Sequence, residues 1–87
     1  MIKVIVRESN THNQEALHGY YVKASTEEEF HNAMNIMNNL NPYTDLVKEI
    51  DIDVPDDFWS AGGFESELVS AVDEHGNDRS QWAKEWF

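Results

Sequence analysis

Between Ser25 and Leu40 the chain carries the pattern of one capped, amphipathic helix. Glu28 follows Ser25 by three residues, a capping box in which hydroxyl and carboxylate each satisfy an orphan backbone N–H. Phe30, Ala33, Met34, Met37 and Leu40 then recur at three- and four-residue steps along one face. Asn38, Asn39, Asn41 and Pro42 end the run. A short helix of this kind is marginal alone in water and needs a second apolar layer.

Strand-like segments on both sides of the helix supply that layer. Ile2, Val4 and Val6 alternate with Lys3, Ile5 and Arg7, the period of a half-buried strand. Residues Glu8 to Leu17 are polar and read as a loop. His18 to Ala24 is a second strand, antiparallel to the first. Leu46 to Val54 is a third, with Ile50, Ile52 and Val54 on one face and Glu49, Asp51 and Asp53 on the other; Pro55 stops it. Asp56 to Gly63 is a turn region, where Gly62 and Gly63 permit a chain reversal. Phe64, Leu68, Ala71 and Val72 fit a second amphipathic helix, with Glu65 and Glu67 in its first turns and Gly76 at its C-cap. Asp78 can cap a last short helix that carries Trp82 and Trp86.

The expected fold is therefore α+β, a single domain over residues 1–87 in the order ββαβαα. A three-stranded sheet would be packed on one face by helices. Its expected core is Val4, Val6, Phe30, Met34, Met37, Ile50, Ile52, Leu68 and Val72. A chain of 87 residues allows one such core. There is no cysteine, so disulfides and thiolate metal sites are excluded and a reducing cytoplasm is expected. No apolar run approaches the ~18 residues of a membrane span. The first residues lack the apolar run of a signal peptide.

Charge narrows the partners. Seventeen acids face six Lys and Arg, for a net charge of −11. Direct binding to nucleic acid or to anionic lipid needs basic surface and is not expected. The acids are also clustered: from Glu49 to Asp78 there are ten carboxylates and no Lys or Arg. They include Glu49, Asp51, Asp53, Asp56, Asp57, Glu65, Glu67, Asp73 and Glu74. Alternate strand residues lie ~6.6 Å apart on one face, on the scale of a phosphate track. Such a surface suits a basic, nucleic-acid-binding protein. It also suits a plain solubilising face that blocks edge-to-edge aggregation. Trp59, Trp82, Trp86 and Phe87 are candidate interface aromatics, with the tail either completing the core or anchoring a partner or second subunit in a homodimer.

No chemistry of catalysis is legible. No nucleophile motif frames any serine, and no Lys or hydroxyl residue follows Gly62–Gly63 as a phosphate loop requires. The histidines, His12, His18, His31 and His75, lack zinc-ligand spacing. DIDVPDD is not a calcium loop, because Pro55, Asp56 and Gly62 stand where a ligand, a glycine and the closing glutamate belong. Neither an enzyme activity nor a cofactor or metal is expected.

At EALHGYYVKASTEEEFHNAM, followed by DLVKEIDIDV, the chain resembles one domain of the ArdA-type antirestriction proteins. Leu17, Gly19 and Tyr21 match that family's Gly-aromatic strand, Ser25 to Phe30 its capped helix start, and Ile50 to Asp53 its acidic strand. The resemblance implies a mobile-element protein that occupies the DNA site of a restriction enzyme. Small acidic inhibitors of CRISPR effectors follow a similar strategy. The expected function is thus nucleic-acid mimicry by stoichiometric binding; the alternative is a small acidic interaction or assembly module without mimicry.

Overall fold

A computed structural model describes residues 1–41 and 44–87. Among these residues four strands and two α-helices follow in order: β1 (Ile2–Ser9), β2 (Glu15–Val22), α1 (Glu27–Asn35), β3 (Val47–Asp53), β4 (Glu65–Asp73) and α2 (Ser80–Ala83). The four strands form one sheet in the order β3-β2-β1-β4, with every neighbouring pair antiparallel. The hairpin β1–β2 is central, and β3 and β4 are the two edges.

The expectation of three strands and the order ββαβαα is corrected by β4. Residues 65–73 are a strand, not a helix. A bulge explains the misleading spacing. The β1–β4 register shifts between Ile5 and Val6, so that Ile5 pairs with Ser70 but Val6 pairs with Leu68. An extra residue, Val69, breaks the two-residue alternation and leaves apolar residues at 68, 71 and 72, which mimics a helical period. Gly76 accordingly caps no helix; it takes φ +81° in the turn after β4. The second strand also begins earlier than expected, at Glu15, and the polar loop shrinks to a tip at residues 10–14.

The alternation of β1 sorts the two faces of the sheet. Ile2, Val4 and Val6 are buried on one face, against Val22 from β2 and Ala71 from β4. Phe30, Ala33 and Met34 of α1 close over them, and Ala83 of α2 joins the same core. The helix cap is Thr26, one residue beyond the expected Ser25: its hydroxyl accepts the Glu29 N–H at 3.2 Å. Past Asn35 the helix widens into a π turn over Ile36–Leu40, closed by the Asn41 N–H donating to the Ile36 carbonyl at 2.7 Å. Pro42, expected to help end this helix, lies outside the described residues.

Several expected core positions are not core. Val4, Val6, Phe30 and Met34 are fully buried, while Met37 and Leu68 pack at its margin. Ile50 and Val72 are only half-buried, and Ile52 is 46% exposed. Val72 and Ile50 register beside Lys3 and Gly19, and Ile52 lies beside Gly19 with Ile50, so all three belong to the face opposite the helices. No described helix is long and apolar enough to cross a membrane.

Candidate functional site

The connection from β3 to β4 crosses the end of the sheet and covers the part of the core face that the helices do not reach. Pro55 ends β3 and its carbonyl accepts the Phe58 N–H at 3.0 Å, which starts a single 3-10 turn at Phe58–Ser60. Phe58 is fully buried and anchors the crossover. The hairpin tip holds it from below. Asn10 Nδ2 donates to the Phe58 carbonyl at 3.1 Å, Gln14 Nε2 donates to Asp57 Oδ1 at 2.9 Å, and the Thr11 N–H donates to the Gly62 carbonyl at 3.1 Å. Gly63 takes φ +64°, and a Cβ there would run into the Thr11 methyl group, so only glycine suits this reversal.

Under the crossover sits His18, 1% exposed. Its Nδ1 lies 3.1 Å from Glu49 Oε1 and its Nε2 lies 3.3 Å from Glu8 Oε1. Both are close ion-pair contacts, and neither is aligned as a hydrogen bond. Trp59 and Tyr20 pack edge-on against the imidazole, at 5.6 and 5.2 Å between ring centres. Burial works against protonation of His18, but the facing carboxylates of Glu49 and Glu8 outweigh it and raise the pKa above the usual imidazole value. Burial, with the same two carboxylates, also pushes the Tyr20 hydroxyl up. The ring is closed off from solvent, which suits a structural ion cluster better than proton exchange with a substrate.

The expected partner-binding acids are divided among three places. Glu49, Asp51 and Asp53 lie on the edge strand β3, where Glu49 is drawn toward His18 and the other two are exposed. Asp56 and Asp57 are exposed on the crossover. Glu65 and Glu67 lie on β4, the opposite edge, three strand spacings or ~14 Å away; Glu67 pairs with Arg7 at 3.5 Å. Asp73 and Glu74 are at the far end of β4. Asp73 accepts from the backbone N–H groups of His75 and Asn77 and from Arg79 Nε. Desolvation opposes ionisation of Asp73, yet these donors hold its pKa down at about 2. Glu74 is 3.6 Å from the N-terminal ammonium. These two serve the turn, apart from the rest.

The crossover end nevertheless gathers charge. Asp53 registers with Leu17, and both Glu15 and Glu65 register with Ser9, so Asp53, Glu15 and Glu65 share the end of the sheet that Asp56 and Asp57 follow. In the same crossover Trp59 is 45% exposed and Phe64 is 41% exposed, with ring centres 5.5 Å apart. Sequence reasoning missed Glu8, Glu15, His18 and Phe64. The sheet register reveals Glu8, Glu15 and His18, the packing of the crossover reveals Phe64, and alternation alone fixes neither.

The aromatic tail lies elsewhere. Trp82, Trp86 and Phe87 are partly buried against the core. Phe87 meets Tyr20 at 5.5 Å between rings, and the Arg79 guanidinium lies over Trp82 at 4.7 Å. His31 Nδ1 is 2.8 Å from Glu85 Oε1, which ties the tail to α1. Among the described residues, no group of three or more His, Asp or Glu is placed to hold a metal ion. Compared with protein families, curated proteins and solved structures, the chain matches none.

Proposed function

We propose that the protein is a stoichiometric inhibitor that docks in the nucleic-acid groove of a basic, DNA-handling defence protein, of the restriction or CRISPR-effector kind. One observation carries this reading. A crossover tied to the hairpin tip presents Asp56 and Asp57, with Asp53 at the adjoining end of β3, beside two exposed aromatic rings, Trp59 and Phe64. Carboxylates next to exposed aromatic rings offer the two things a groove built for nucleic acid recognises, anions and flat π-faces. The bonds from Asn10, Thr11 and Gln14 to the crossover hold it in place before any partner arrives, which lowers the ordering cost of binding. The resemblance to ArdA-type proteins points the same way.

The test is a variant with Asp51, Asp53, Asp56 and Asp57 all changed to Asn. Parent and variant are immobilised and exposed to bacterial lysate, then eluted with rising salt. The parent should retain a basic nucleic-acid-binding protein that leaves only at high salt, and the variant should release it earlier. Equal retention of the same protein at the same salt would reduce these carboxylates to a solubilising role.

A further inference from the structure

The face of the sheet opposite the helices has the composition of an interface. Antiparallel sheets with one covered face usually present polar residues on the other. Here Ile5, Ile50 and Ile52 occupy its middle and Val72 lies beside Lys3, with Ile52 46% exposed. Gly19 lies among them: a Cβ built there would come within 3.4 Å of both Ile50 Cγ1 and Ile52 Cδ1, so both side chains lean into the space it leaves. The described core draws on the other face.

The charges at the two ends of this open face are opposite in sign. Lys3 and Lys48 both register with Tyr21 at one end, and Lys3 Nζ lies over the Tyr21 ring. Glu15 and Glu65 both register with Ser9 at the other. Six residues separate Lys3 from Ser9, or ~20 Å along the strand.

We propose that this face is a self-association surface, covered by a second copy of the chain with its strands reversed. A two-fold axis lying between the sheets, across the strands, places the lysine end of each copy over the glutamate end of the other. An axis along the strands would stack lysine on lysine and glutamate on glutamate, at an electrostatic cost. Sheets stacked face to face keep their strands nearly aligned, so the end-to-end match survives the twist. The apolar middle then meets itself ~10 Å apart, the ordinary spacing of packed sheets. Four strands of about eight residues give a footprint of roughly 500 Å² per copy, the lower bound for a specific interface. The dimer is accordingly weak and concentration-dependent. It leaves Trp59, Asp56 and Asp57 uncovered, because the crossover lies over the opposite face. The proposal does not depend on the inhibitory role.

Sedimentation of the full chain from about 5 to 500 µM, a span suited to an interface of this size, tests it. The mass should rise toward that of two chains, and Ile52→Asp should hold it at one. Lys48→Glu and Glu15→Lys should each weaken association about tenfold, and the two together should restore most of it. The Glu15→Lys variant is the discriminating one, because it lowers the net charge from −11 to −9 (−11 + 2) and would strengthen any association limited by general repulsion. Far-UV circular dichroism confirms that each variant keeps its fold. A parent that stays monomeric throughout, a dimer indifferent to Ile52→Asp, or a double swap that fails to recover association would each overturn the proposal.

Discussion

His18 is a buried side chain whose protonation the fold alters. It is buried between Glu8 and Glu49, and its pKa is raised in the folded state. Folding binds the proton more tightly than the unfolded chain does, so this cluster stabilises fully below the unfolded value of ~6.5. Its contribution is lost as the pH rises through the elevated folded value. Urea midpoints should therefore fall as the pH rises from about 6 to 8, and His18→Gln should flatten that slope. An unchanged slope in the variant would assign the dependence to other groups. Two further substitutions separate covered from open positions. Phe30→Ala should cost about 3–5 kcal/mol, while Ile52→Ala should cost under ~1 kcal/mol, both read from denaturant unfolding. The sequence shows that Ile50 and Ile52 share a face, but not that this face is the uncovered one. Alternation identifies the two sides of a strand; only the placement of α1 tells which is inside.

At the scale of elements, α1 was legible because its signals agree: cap, acidic first turn and apolar period all point to one helix. Even so, the cap slid by one residue. Two adjacent hydroxyls, Ser25 and Thr26, each precede a glutamate by three, and only the backbone shows Thr26 in the extended conformation of a cap. Thr26→Ala should cost about 0.5–2 kcal/mol and Ser25→Ala close to nothing, measured by thermal or urea unfolding. Equal costs would place the cap at Ser25. The strand β4 was hidden for a local reason. One bulge at Val69 shifts the phase of its apolar residues, and a period-based reading has no means to expect it. Its edge position compounds this, since Leu68 and Val72 lie on opposite faces and no single apolar stripe remains.

Across the whole molecule, charge and topology are coupled. The acidic run of the sequence is continuous from Glu49 to Asp78, but the fold breaks it over two opposite edges and a turn. Glu49, Glu67, Asp73 and Glu74 have partners within the chain, whereas Asp51, Asp53 and Asp56 on β3 and the crossover show no ion pair among the described residues. That division singles out one end of the sheet, around Trp59 and Phe64, as the place where a basic groove would find uncompensated charge. The claim stands or falls on competition with nucleic acid. The protein, labelled away from the crossover, is bound to the basic partner it retains at high salt, and fluorescence anisotropy is followed as duplex DNA or single-stranded RNA is added. Occupation of the groove predicts that the cognate nucleic acid displaces the protein completely, with a midpoint that rises in proportion to the protein's concentration. Persistence of the complex at saturating nucleic acid, with both bound together, would contradict it.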